Sequence, residues 1–119
     1  MLVTDAMPTV GADEQKFMLQ GREIRRDGDR LVSVDGVLAG STLTMAAAVA
    51  NAIEQGQLSI PAAVRMATST PAHFLGIAAE SGTIEPGLSA DLVAMTDDLK
   101  VTQTWVKGEP NEPPKRCKK

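Results

Sequence analysis

The 119-residue chain holds a single cysteine, a single histidine, no tyrosine and only three aromatic side chains. One cysteine, Cys117, excludes an internal disulfide framework and fits a reducing compartment, so the expected location is the cytoplasm. With Phe17, Phe74 and Trp105 as the only aromatics, there is no platform on which single-stranded nucleic acid could stack. Positive charge is also scarce. The formal net charge is −3, and the closing KRCKK contributes +4, which leaves residues 1–114 with 8 basic against 15 acidic groups, or −7. That balance argues against a nucleic-acid-binding body, and the basic end reads as a solvated terminus. Long apolar runs are missing as well. No window approaches the ~18 uninterrupted apolar residues of a membrane span, and the first residues lack a basic region followed by an apolar stretch. The expectation is a chain neither secreted nor inserted in a membrane. At 43% hydrophobic and 23% charged, it has material for one modest core.

Residues 1–5, MLVTD, are apolar with β-branched Val3 and Thr4, which suits a short buried strand ending at Asp5; Pro8 and Gly11 then force a loop. From 17 to 35 the sequence alternates loosely around Asp27-Gly28-Asp29 and predicts a β-hairpin, with the Asp-Gly pair supplying positive φ. Beyond it, Ser41 or Thr42 can cap a helix whose apolar positions Met45, Val49 and Ile53 recur every four residues and which stops at Gly56. A second helix is capped by Ser59, tolerates Pro61 in its first turn and carries a stripe of Ile60, Val64 and Ala67. A third, short helix in TPAHFLGIA carries Phe74 and Leu75 and closes near Gly76. Turn signals at Glu85-Pro86-Gly87 and Asp97-Asp98 separate strands at 91–96 and 101–106. Residues 110–119 have three prolines and no apolar pattern, so they are read as a disordered tail. The first strand and first long helix form a βα unit without the parallel neighbours such a unit needs.

Several stretches together carry a resemblance: VTDAM at 3–7, LAGS at 38–41 followed by LTMAAAVANAI, RMATSTPAHFLGI at 65–77, GTIEPGLSADLVAM at 82–95 and TWVKGE at 104–109. In this order they resemble the C-terminal portion of N-acetylglucosamine-6-phosphate deacetylases, members of the amidohydrolase superfamily. The glycine-turn-ADLV stretch occurs in many amidohydrolases, whereas TDAM with LAGS some thirty residues on is more specific to the deacetylases. The resemblance implies an α/β fold: a partial TIM barrel made of the last βα unit and C-terminal helices, plus strands of a small β-sandwich domain. A whole barrel takes ~200 residues or more. The implied division is residues 1–80 as the C-terminal part of the barrel with an inserted hairpin at about 17–35, residues 81–109 as the C-terminal strands of the small domain, and 110–119 as the tail. The family's divalent metal, zinc or iron, is held by a glutamate and histidines upstream of the matched region, so no metal ligand is assigned here and none is expected to be fully ligated by this chain.

Asp5 matches the family's catalytic aspartate at the end of the final barrel strand. By the resemblance it takes a proton from a metal-activated water and returns it to the departing amine nitrogen. On pattern alone, the plainer reading is a cap or loop-ordering Asp in the turn before Pro8, and the resemblance is what favours catalysis. Leu38, Ala39 and Gly40 match a loop that lies against the substrate's N-acetyl group, where a glycine lets backbone approach a ligand. The plainer reading is that Gly36 and Gly40 turn the chain into the helix. His73 matches no family ligand, has no partner at ligand spacing and is read as structural. Met45, Met66 and Met95 read as adaptable core filler. Arg22, Arg25, Arg26 and Arg30 flank a turn that contains its own counter-charges, so they read as a solvated face, with phosphate capture as the alternative.

The expected function is that of the C-terminal portion of a deacetylase converting N-acetylglucosamine 6-phosphate to glucosamine 6-phosphate and acetate, inert as a lone chain. Its expected partners are the amino-sugar phosphate and further copies of itself in a homo-oligomer, with no nucleic acid and no membrane. The alternatives are a non-catalytic truncated module that self-associates or complements another chain, and a piece of another amidohydrolase acting on a cyclic amide.

Overall fold

A computed structural model describes residues 1–12 and 14–111. Chain contacts divide it into two compact units, Leu2–Leu58 and the stretch from Ser59 onward, with Met1 grouped with the second.

The first unit is built on a four-stranded antiparallel meander of β1 (Lys16–Leu19), β2 (Arg22–Asp27), β3 (Arg30–Ser33) and β4 (Leu38–Ser41), in that spatial order. The expected single hairpin is thus the middle of a sheet. Its turn is as read: Asp27 pairs with Arg30, and Gly28 supplies φ 62°. The β1–β2 turn, Gln20-Gly21, has positive φ at both positions (49° and 78°), the backbone of a type I′ hairpin. Alternation along β1 leaves Phe17 and Leu19 half-buried, and the register sets them on the face that carries Ile24 and Leu31, both buried.

Two expectations about strand and loop fail in this unit. Residues 1–5 form no strand, and Val3 is 75% exposed. Parallel strands live in multi-stranded, covered sheets. Here the segment meets a single parallel bridge, Ala6 to Ser41. Leu38, Ala39 and Gly40, expected from the resemblance as a loop, lie in strand β4 instead; a bulge lets Leu31 pair with Gly40 and Val32 with Leu38, skipping Ala39.

Helix α1 (Met45–Glu54) follows, and Ala48 and Val49 are its buried positions, whereas Met45 is exposed rather than core filler. Its cap is neither Ser41 nor Thr42. Thr44 has extended backbone, and its hydroxyl accepts the Ala47 N–H at 3.2 Å. The Ser41 hydroxyl is committed elsewhere, to Thr4 and Leu43.

The second unit contains α2 (Ile60–Ala67), α3 (Ser69–Leu75) and a three-stranded antiparallel sheet of β5 (Leu92–Met95), β6 (Val101–Val106) and β7 (Glu109–Asn111). Ser59 and Pro61 open α2 as expected, although the Ser59 hydroxyl makes no cap bond. Of the expected stripe, Ile60 and Val64 are exposed and Ala67 half-buried, while the neighbouring Ala63 is fully buried. Helix α3 ends at Gly76 in the left-handed region, φ 74°, and the Ile77 N–H returns to the Ala72 carbonyl at 2.9 Å. Gly82, φ 108°, passes so close to α3 that a Cβ there would stand 2.6 Å from the Ala72 Cβ.

Strands β5 and β6 fall where the pattern put them. Pro110 and Asn111 do not belong to a structureless tail, because Pro110 pairs with Trp105 and Asn111 with Thr104 in β7. Proline is tolerated there because β7 is an edge strand. Residues 112–119, with Cys117, lie outside the described residues. Among those described, no helix is long and apolar enough to cross a membrane.

Candidate active site

The two stretches that carried the strongest resemblance lie side by side within the first unit. Ser41 reaches residues 4–7 through three polar groups: its hydroxyl donates to the Thr4 carbonyl, its N–H donates to the Asp5 carbonyl at 2.9 Å, and its carbonyl accepts the Met7 N–H at 3.1 Å. TDAM and LAGS are thereby joined across more than thirty residues of sequence.

Asp5 is solvent-exposed and stands at φ 51°. For a residue other than glycine this is a sparsely populated region that costs ~1–3 kcal/mol, though aspartate tolerates it better than most. Such strain clusters at functional sites. Gly40 is buried, with φ 130°; a Cβ there would lie 2.4 Å from the Met7 Cγ and 3.1 Å from the Asp5 carbonyl oxygen. The missing Cβ leaves room for the Met7 side chain and for close approach of the Asp5 carbonyl.

Leu38, Ala39 and Gly40 do not act as one surface. Leu38 and Ala39 line a depression of about 340 Å³ together with Arg22, Ile24 and Ser33, whereas Gly40 faces Asp5 and Met7. Of the four arginines flanking the turn, Arg22 borders this depression. Arg25 pairs with Glu23 at 2.7 Å, and Arg26 donates to the Gly28 carbonyl. Glu23 also meets Lys16 at 3.0 Å, and these two cations, Lys16 first, hold its carboxyl below the usual range.

His73 is exposed, and its Nδ1 lies 2.7 Å from the Ser69 carbonyl, one helical turn back. Among the described residues no group of three or more His, Cys, Asp or Glu could hold a metal ion. The residues present therefore do not fit the divalent metal that the family resemblance implies.

The contacts of Ser41 with residues 4–7 were not legible in the sequence, because Ser before an apolar run reads as a helix cap. Asp91, in the ADLV stretch, serves its own neighbourhood, accepting the Lys107 N–H at 2.8 Å in the two-residue turn between β6 and β7. That bond, and a second from the Ser89 side chain, hold its carboxyl below the ordinary carboxylate range.

A family model, the amidohydrolase family, matches residues 22–110. Among curated relatives, an N-acetylgalactosamine-6-phosphate deacetylase of Shewanella sp. (strain ANA-3) is 42% identical over 109 residues, which are 92% of this chain and 27% of that protein. The N-acetylglucosamine-6-phosphate deacetylase of Vibrio furnissii is 36% identical over 90% of this chain and 27% of its own length. The chain spans 65% of an Escherichia coli (strain K12) relative to which it is 37% identical. Among solved structures, N-acetylglucosamine-6-phosphate deacetylase from Pasteurella multocida superposes with a TM-score of 0.88 at 32% identity, over 93% of this chain and 29% of that one. A mutant of the Mycobacterium smegmatis deacetylase, solved in complex with N-acetyl-D-glucosamine-6-phosphate, superposes at 0.77 and 28% identity, over 91% of this chain and 29% of that one.

Proposed function

The chain belongs to the amidohydrolase family, and on that premise we propose that it is the C-terminal portion of an N-acetylhexosamine-6-phosphate deacetylase, with Asp5 as its proton-transferring group. Residues 1–80 would then close a TIM barrel, and residues 81–109 would supply the last strands of a small β domain. The observation that carries the reading is the apposition of TDAM and LAGS through Ser41, which sets the backbone of Asp5 beside the strand assigned to the substrate's N-acetyl group.

In this reading the Asp5 carboxylate accepts a proton from the water that attacks the amide carbonyl and returns it to the amine nitrogen as the C–N bond breaks. Water and amide are consumed, acetate and amine are released, and the carboxylate is regenerated. Leu38 and Ala39 offer apolar surface for the acetyl methyl, and Arg22 lines the same depression. The family's metal chemistry would call on ligands that the described residues do not assemble.

The names of the relatives divide between N-acetylgalactosamine and N-acetylglucosamine 6-phosphates, so the substrate is proposed at the level of the class. The test is a chimera in which this chain replaces the matching C-terminal segment of the Shewanella enzyme, assayed for acetate release from both sugar phosphates alongside the isolated chain supplied with zinc. The chimera should turn over and the isolated chain should not. Inactive but folded chimeras, or turnover that follows the isolated chain through purification, would defeat the proposal.

A second reading, assembly with another copy or a complementary chain, draws on α3, where Phe74 is 74% exposed and Leu75 65%. A monomer by size-exclusion chromatography with light scattering would remove it.

A further inference from the structure

The geometry points to Ser41 as the positioning residue that fixes the backbone torsion of Asp5 and so aims its carboxylate. The inference rests on Asp5 being the proton-transferring group, but its structural content stands by itself.

The torsion φ of Asp5 is defined by the carbonyl carbons of Thr4 and Asp5 about the N–Cα bond. Both carbonyl oxygens are held by one residue: the Ser41 hydroxyl donates to Thr4, and the Ser41 N–H donates to Asp5 at 2.9 Å. With the oxygens on both sides of Asp5 anchored, the φ, ψ pair between them is restricted. The value they hold, 51°, is one an L-residue rarely adopts unsupported. The hydroxyl is itself oriented, because it accepts the Leu43 N–H at 3.1 Å, which directs its own proton toward Thr4. On the far side of Asp5, the Ser41 carbonyl accepts the Met7 N–H at 3.1 Å, closing the clamp beyond the strained residue. Gly40 completes the arrangement by having no Cβ, so the two backbones can approach closely enough for these bonds to form.

Alanine or valine at 41 removes the hydroxyl and frees the Thr4 carbonyl while keeping the main-chain bonds. Threonine is close to valine in shape and retains the hydroxyl. In the full 119-residue chain, the amide–Hα coupling and intraresidue amide–Hα cross-peak at Asp5 should report positive φ in wild type and Ser41→Thr and lose that signature in Ser41→Val and Ser41→Ala, with the cross-strand contacts of β2 and β3 unchanged. Positive φ retained at Asp5 in a folded Ser41→Ala chain would overturn the clamp. If both hydroxyl-deleting variants unfold, the wild-type chain decides: a scalar coupling across the hydrogen bond from the Ser41 amide to the Asp5 carbonyl, with a protected Ser41 hydroxyl proton, is required, and its absence overturns the proposal. In the chimera, Ser41→Val should lower kcat by ~10²-fold at unchanged KM, with Thr restoring it. Should Asp5 respond to Ser41 as described while Asp5→Asn keeps full turnover, the assignment of Asp5 fails and the clamp stands as structure.

Discussion

A Cβ placed on Gly40 would lie 2.4 Å from the Cγ of Met7 and 3.1 Å from the Asp5 carbonyl oxygen, so the Met7 side chain would have to shift to admit it. Gly40→Ala therefore overpacks the junction of the two motifs and should cost about 1–3 kcal/mol on urea unfolding. Gly36→Ala is the control. Gly36 shares a positive φ, 77°, but a Cβ there meets nothing within 4 Å, so its cost is limited to the backbone. Equal costs at the two positions would mean that the Met7 contact does not constrain the junction.

The β6–β7 turn should be sensitive to acid. Asp91 accepts the Lys107 N–H, and its carboxyl is held below the ordinary 3.8 by that bond and by Ser89. A carboxylate whose folded pKa is depressed contributes stability that is fully present above the unfolded value and is lost as pH falls through the folded one. The Lys107 amide should therefore keep its shift and exchange protection above pH 3.8 and lose them progressively below it. Asp91→Asn should remove the pH dependence at Lys107 while leaving the β5–β6 pairing in place. Protection at Lys107 that ignores pH would contradict the assignment.

These two sites also mark how far the sequence alone could be read. Elements fixed by local chemistry were legible: the positions of the three helices, the stop at Gly76, the Gly28 turn and the positions of β5 and β6 follow from spacing and turn residues. Elements fixed by partners were not. MLVTD has strand composition, yet it finds a single bridging residue, Ser41, so no ladder forms. The resemblance implies a loop at Leu38, Ala39 and Gly40, yet β3 pairs with this stretch and makes it β4. Pro110 argued against a strand, yet an edge position needs no amide there. At the candidate site, Asp5 and Gly40 were visible through the resemblance. The role of Ser41 was hidden, because a serine ahead of a helix advertises a cap and nothing local says that its hydroxyl is used by Thr4.

The reassigned cap carries its own test. Thr44→Ala removes the hydroxyl that accepts the Ala47 N–H and should destabilise the first unit by about 1 kcal/mol. Ser59→Ala, at the start of α2, removes a hydroxyl that makes no cap bond and should cost less. Residue-resolved amide signals along a urea titration separate the two helices. A larger loss at Ser59 than at Thr44 would reverse the assignment of caps.

The measurement that bears most directly on the central claim is acetate release by the Shewanella chimera with and without the Asp5 carboxylate. General acid and base catalysis contributes ~10²–10⁴-fold, so Asp5→Asn should lower kcat by that order while KM and the amide spectrum of the first unit stay close to wild type. Turnover within a few fold of wild type in a folded Asp5→Asn chimera would contradict the account.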